Sequence, residues 1–329
     1  MELATQPQPQ PHKGAFMTAI AYKSQKFPSN APLIIENGVA DSISLDGCEN
    51  VIIRNMKVGD QGTADVRTLT NRAIEVKNSR NITIEYSEVF RCAKAISVMS
   101  CTDILIDANV IYDLNEDAIR PLHSERVTIR RNEIFDWYIN TGKHPDAIQP
   151  WNDGLGHDAD SLVIEDNCIH RGKGEAAQGI CIRWYGGDKY PTYTGFVNSV
   201  IRRNLLIGMA YNGINAAWDV DVLDNDVYSF EDKQSKILND NWTGTESGNK
   251  AAVITLNGVR KAYPVADVTA AEEAALVAAW RKRVFPVAVP PVDAPPEPPV
   301  EIDPVPAVVS FTQAQKDAVR AALASIGVI

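Results

Sequence analysis

A short run of alternating apolar and polar positions recurs along the first two-thirds of the chain. It reads ENVIIRNMKV (49–58), RNITIEYSEV (80–89), TDILIDANVI (102–111), ERVTIRRNEI (125–134), DSLVIEDNCI (160–169), NSVIRRNLLI (198–207) and WDVDVLDNDV (218–227). Each copy predicts a short period-2 strand, a turn and a second short apolar stretch. Aligned on the first apolar position, the copies begin at Val51, Ile82, Ile104, Val127, Leu162, Ser199 and Val220. The closest copies are about 22 residues apart, the length of one winding of a solenoid. A second motif keeps the same order between them: RAIEV (72–76), KAISV (94–98), DAIRPL (117–122), DAIQPW (146–151), QGICIR (178–183) and NGINAAW (212–218). Each winding therefore carries at least two strands, with Ala or Gly at a tight bend before an inward Ile. Asn109, Asn132, Asn167, Asn204 and Asn225 recur in register between the strands. Stacked windings would set these amides one above the next, each bonding its neighbours at an inward turn.

This pattern lacks the LxxLxL and helical return of leucine-rich repeats, and it is too short for four-stranded propeller blades. What remains is an all-β chain wound as a single-stranded right-handed parallel β-helix. On these motifs the sequence resembles the right-handed β-helix (pectin-lyase-like) superfamily, which includes pectate lyases, polysaccharide epimerases and phage tailspikes. The resemblance spans about residues 33–258 and implies the fold more than any one reaction, because one fold hosts many chemistries.

The ends read differently. Residues 1–32 are polar and Pro-rich and predict an arm or cap over the first winding. Beyond the β-helix (33–258), a capping segment (259–285) contains TAAEEAALVAAWRKRVF, a helix with Thr269 and Glu272 as a capping box and Arg281–Arg283 at its negative end. A Pro-rich linker follows (286–309), then a short docking helix (310–329) with Thr312 and Gln315 at its start. A tethered terminal helix suits a component of a larger assembly.

Composition narrows the function classes. The 329 residues are 45% hydrophobic and 22% charged, with a net charge of −10. So acidic a chain lacks the basic footprint that nucleic acid or an anionic membrane surface requires. No apolar run approaches the ~20 residues of a membrane helix. The N-terminal MELATQPQPQPHKG has no basic region followed by an apolar one, so no secretory signal is expected and the product is expected to be made in the cytoplasm. Cys48, Cys92, Cys101, Cys168 and Cys181 have no CxxC spacing and read as buried thiols rather than zinc ligands.

Three connections exceed the basic repeat: 59–71, 135–145 with 152–160, and 184–197. Insertions in a solenoid are loops, often on its binding face. Beside them stands HPDAIQPW, with His144, Asp146, Gln149 and Trp151; one winding earlier are Asp117, Arg120 and His123, and one later Gln178, Arg183, Trp184 and Tyr185. With Ile119, Ile148 and Ile180 inward, alternation sends Arg120, Gln149 and Cys181 outward, then Leu122, Trp151 and Arg183. Asp117 and Asp146 fall at the same position of adjacent windings, about 4.8 Å apart, so one takes a proton or a counter-charge sits between them.

Three chemistries fit. In a hydrolase, Asp117 and Asp146 are acid and base or nucleophile. In a lyase or epimerase, His144 or an Arg takes the sugar C5 proton while Ca²⁺ on the carboxylates neutralises the uronate. On a pure binding face, Trp151, Trp184 and Tyr185 stack on sugar rings while Arg120, Gln149 and Arg183 read hydroxyls. Each Asp could instead cap turn amides. The expectation is a tailspike- or fibre-like virion protein that binds, and as a depolymerase cleaves, a host surface polysaccharide. The tailspikes it resembles are trimers, so a homo-oligomer is expected, joined to other virion proteins through the C-terminal tail. The alternatives are a free extracellular polysaccharide lyase, epimerase or hydrolase, and a non-enzymatic structural virion component.

Overall fold

The computed structural model describes residues 16–17, 19–152, 159–182, 195–217, 219–230, 232–240, 243–263 and 265–286. The linker and docking helix expected beyond residue 286 lie outside these.

Each winding but the last contributes, among the described residues, a strand to each of three sheets, one more than the two motifs announce. The first half of the first motif forms sheet C, running from Leu33–Glu36 to Glu246–Ser247; its second half, such as Lys57–Gly59 or Glu88–Cys92, forms sheet A. The second motif forms sheet B, from Ile20–Lys23 through Arg72–Lys77, Lys94–Met99, Ile119–Leu122, Asp146–Ile148 and Gln178–Cys181 to Val253–Leu256. Pairing between the sheet strands of successive windings is parallel, until an antiparallel Val259–Ala262 closes sheet B at its C-terminal edge. Strands Phe16–Met17 and Ile20–Lys23 already pair with the next winding, ahead of residue 33.

The register is the one that the motifs predict. Val51, Ile82, Ile104, Val127 and Leu162 lie opposite one another in sheet C. In sheet B, Ile20, Ile43, Ile74, Ile96, Ile119, Ile148, Ile180, Ile214, Ile237 and Ile254 form one inward column. All ten are buried, and burial of each such side chain is worth about 1.5–3 kcal/mol. The inward faces of the three sheets make one continuous apolar core.

Two polar ladders hold the corners. Between sheets C and A, Asn109, Asn132, Asn167, Asn204, Asn225 and Asn249 stack in a column. Each Oδ1 from Asn132 onward accepts both the backbone N–H and the Nδ2 of the Asn one winding earlier, at 2.9–3.0 Å. Nδ2 also donates to a strand carbonyl of the preceding winding, as Asn167 does to Ile129 at 3.0 Å. The residue just before each Asn turns the corner with positive φ: Ala108 (+57°), Arg131 (+55°), Asp166 (+55°), Arg203 (+54°) and Asp224 (+55°). That conformation costs an L-residue roughly 1–2 kcal/mol, and the Asn hydrogen bonds beside it offset the cost. Between sheets B and C a shorter ladder does the same. The Cys48 amide donates to Ser79 Oγ (3.0 Å), the Ser79 amide to Cys101 Sγ (3.4 Å), and the Cys101 amide to Ser124 Oγ (3.1 Å). Cys101 is thus a corner acceptor, and all five cysteines are buried.

Helix α1 (Ala270–Val284) has the predicted capping box at Thr269 and Glu272. It lies on the outer face of sheet A, where Val268, Val277 and Trp280 pack on Cys168, Leu205 and Ile207. No helix among the described residues is long and apolar enough to cross a membrane.

Candidate functional site

The outer face of sheet B is flanked by loops on both sides. On the side of sheet A lie residues 60–71, 135–145 and 171–177, all between an A strand and the following B strand. The first of these folds across its neighbours. Arg91 donates to the Ala64 carbonyl (2.7 Å) and pairs with Asp60 (3.2 Å). Buried Asn115 donates to the carbonyls of Val66 and Leu69, the latter at 2.9 Å. Arg67 reaches Glu175 at 2.7 Å and lies 5.6 Å over the Tyr138 ring. On the side of sheet C, Ala159–Asp160 pairs with Phe196–Val197, and the buried Asn152 amide donates to the Gly195 carbonyl (2.5 Å).

Between these loops the structure brings together Asp117, Arg120, Asp146 and Gln149. Ile119 opposes Ile148, so Asp117 and Asp146 share one position of adjacent windings, and Gln178 follows opposite Asp146. Asp117 Oδ1 accepts the Asp146 backbone N–H at 2.9 Å, and its Oδ2 lies 3.0 Å from Arg120 Nε. Burial outweighs both contacts and holds the Asp117 carboxyl above its ordinary range. Asp146 is only 1% exposed and accepts a hydrogen bond from the Gln149 amide, itself 8% exposed. Alternation places Gln149 outward of Ile148, yet it and Asp146 are covered rather than open to solvent. Outward Cys181 is likewise fully buried.

His144 stands exposed on the 135–145 loop. That loop is anchored by Lys143, which with Lys94 pairs to Glu116; burial disfavours the Glu116 carboxylate, but the two lysines outweigh it and keep its pKa low. Trp151, half-buried, bridges to Leu122. Arg183, Trp184 and Tyr185 lie outside the described residues. Along the same face Glu75, Ser97 and Arg120 oppose one another on successive windings. Ser97 is 4% exposed and its hydroxyl has no hydrogen-bond partner among the described residues, leaving a polar floor between two charged neighbours.

Sequence reasoning missed two clusters at the ends of the sheet A strands. Asp113 and Asp136 follow Tyr112 and Phe135 at matching corners of adjacent windings, both with positive φ. Burial and then the neighbouring Asp136 charge raise the Asp113 pKa. The aromatic-Asp pair in IYDL and IFDW was the available signal. Phe90, Tyr112, Phe135 and His170 stack with ring centroids 5.7, 5.4 and 4.9 Å apart. Among the described residues no group of three or more His, Cys, Asp or Glu is placed to hold a metal ion.

Comparison with known proteins bears on the fold. A family model described as "Right handed beta helix region" matches residues 33–144. Among solved structures, the Dettilon tailspike protein is similar at 11% identity and a TM-score of 0.39, over 74% of this chain and 55% of the tailspike. The chain thus spans about half of that protein's length. Pectate lyase Pel9A is similar at 12% identity and a TM-score of 0.34, over 80% of this chain and 70% of the lyase. No curated protein matches the sequence.

Proposed function

We propose that this chain, a right-handed parallel β-helix, is a polysaccharide-binding protein that holds its glycan along the outer face of sheet B, between the two walls of loops. The observation that carries the reading is the Asp117 carboxyl. It retains its proton to higher pH than an ordinary aspartate and, through Arg120 at 3.0 Å, borders a ladder of outward polar groups, Glu75, Ser97 and Arg120, on successive windings. Parallel strands repeat at about 4.8 Å, so such a ladder offers hydrogen-bonding groups continuously along an extended chain of hydroxyls. Ser97, Arg120 and Gln178 are the groups we assign to that contact, with Trp151 offering an apolar plane for a sugar ring.

For cleavage, Asp117 is the proton donor to the glycosidic oxygen, since a carboxyl held neutral near its working pH serves as general acid. Asp146, buried and tied to Gln149, positions Asp117 through its backbone N–H. His144, on the exposed loop, is the base we assign to take a proton from the water that attacks the anomeric carbon as the glycosidic bond breaks. The burial of Asp146 and Gln149 favours a second reading, in which the face binds without cutting. In the biological setting we propose, a virion attachment protein, the glycan is a host surface polysaccharide.

The test is equilibrium binding of the purified protein to a panel of capsular polysaccharides and lipopolysaccharides, followed by assays for reducing ends and unsaturated uronates. Arg120→Ala is expected to weaken binding by about tenfold or more, the scale of one lost charge-assisted hydrogen bond. If Arg120→Ala and Trp151→Ala both bind like the parent, the glycan does not lie on this face.

A further inference from the structure

Helix α1 is fastened to sheet A through a buried, charged cluster that the sheet B site does not involve. His170, at the end of strand Cys168–His170, sits between two carboxylates. Its Nε2 is 3.2 Å from Glu133 Oε1 on the adjacent A strand, and its Nδ1 is 3.1 Å from Glu273 Oε1 on α1. Glu133 also receives Arg281 of α1 through two hydrogen bonds of 2.8 and 2.6 Å. Glu273 also accepts the Gly172 backbone N–H at 2.9 Å. The Phe135 ring stacks on the imidazole, and Leu205 and Ile207, uncharged, flank it on the next A strand. The cluster thus holds two carboxylates, one guanidinium and one imidazole, and its charges cancel only when His170 is protonated. With a neutral His170 a net negative charge is left in a site where Glu133, Glu273 and His170 are all at most 8% exposed.

We propose that α1 is a proton-gated strap: protonated His170 fastens it across sheet A, and loss of that proton releases the helix while the coils stay folded. Release uncovers Cys168, Leu205 and Ile207, and with them the C-terminal continuation of the Phe90–Tyr112–Phe135 aromatic stack. The exposed strip is an apolar surface that the closed form hides. The direction follows from the linkage. Burial disfavours the charged imidazole, but hydrogen bonds to Glu133 and Glu273 outweigh it and raise the His170 pKa. Its contribution to docking is therefore full below the unfolded value near 6.5 and is lost as pH rises through the folded value. Glu133 shifts the other way: burial opposes its ionisation, while His170 and Arg281 more than compensate. Its contribution is present above its unfolded pKa and is lost only as pH falls through the lower folded value, so the strap is also weakened in strong acid.

Hydrogen exchange of the full chain across about pH 6 to 9, corrected for the intrinsic pH dependence of exchange, tests this, because one linked proton changes docking by up to about tenfold per pH unit. Amides of 270–284 are expected to lose protection with rising pH while strand Lys94–Met99 stays protected. His170→Gln, uncharged at every pH, is expected to leave α1 weakly protected throughout and to speed alkylation of Cys168 at pH about 6. Glu273→Gln removes one buried charge, so its helix should stay protected at alkaline pH where the parent has opened; this variant decides the question if His170→Gln fails to fold. Protection of α1 that ignores pH in the parent, or that is lost together with the sheet strands, overturns the proposal.

Discussion

Asn167 shows how much a single side chain does in this fold. Its amide donates to Ile129 O and Asn204 Oδ1, and its own Oδ1 accepts two bonds from Asn132, all at 3.0 Å and fully buried. Asn167→Ala removes four buried hydrogen bonds and strands the Asn132 backbone N–H, so a loss of about 2–4 kcal/mol in urea unfolding is expected; Asn249→Ala, at the partly exposed end of the ladder, should cost less. At Asp117 the expectation is one of sign. Its folded pKa is raised, so the protonated form favours the fold, a contribution full below the unfolded value and lost as pH rises through the folded one. Relative to Asp117→Asn, the parent should therefore gain stability as pH falls from about 7 to 4. A parent that gains stability relative to Asp117→Asn as pH rises would contradict the burial argument. The stacking of Asp117 on Asp146 was legible in sequence, because register follows from the aligned isoleucines. Their burial was not, because cover comes from chain remote in sequence.

At the scale of elements, helix α1 was legible from local chemistry alone: Thr269 and Glu272 close a capping box whatever surrounds them. Its seat on sheet A was not, since Trp280 packs against Cys168, Leu205 and Ile207, all remote in sequence, and its indole N–H donates to the Asp166 carbonyl at 2.8 Å. Trp280→Ala is expected to cost about 3–5 kcal/mol if α1 unfolds with the coils. If α1 opens independently, the same substitution should abolish protection of 270–284 and leave the midpoint of coil unfolding unchanged. The third strand of each winding was hidden for a similar reason. Sheet A strands can be as short as Glu133–Ile134, and two residues carry no periodicity of their own. They are strands because the windings above and below supply their hydrogen bonds.

At the scale of the molecule, stability is spread along the axis, each winding resting on its two neighbours. The same deletion should then cost more in the middle than at an end. Ile148→Ala, fully buried between Ile119 and Ile180, is expected to lose about 2–5 kcal/mol. Ile20→Ala, 7% exposed in the first strand of sheet B, should lose less by chemical denaturation. Equal losses would mean that the chain unfolds without regard to position. The sequence by itself determined the winding length, the inward column of isoleucines, the asparagine ladder and the pairing register. All of these follow from a repeat that recurs at the spacing of one turn, so that like residues must meet. Tertiary structure alone decided which outward groups are covered, where the loops from different windings converge on the outer face of sheet B, and that His170 meets Glu133 and Glu273. Those contacts join segments with no shared period, and only the closed coil and the helix folded back along it bring them within hydrogen-bonding distance.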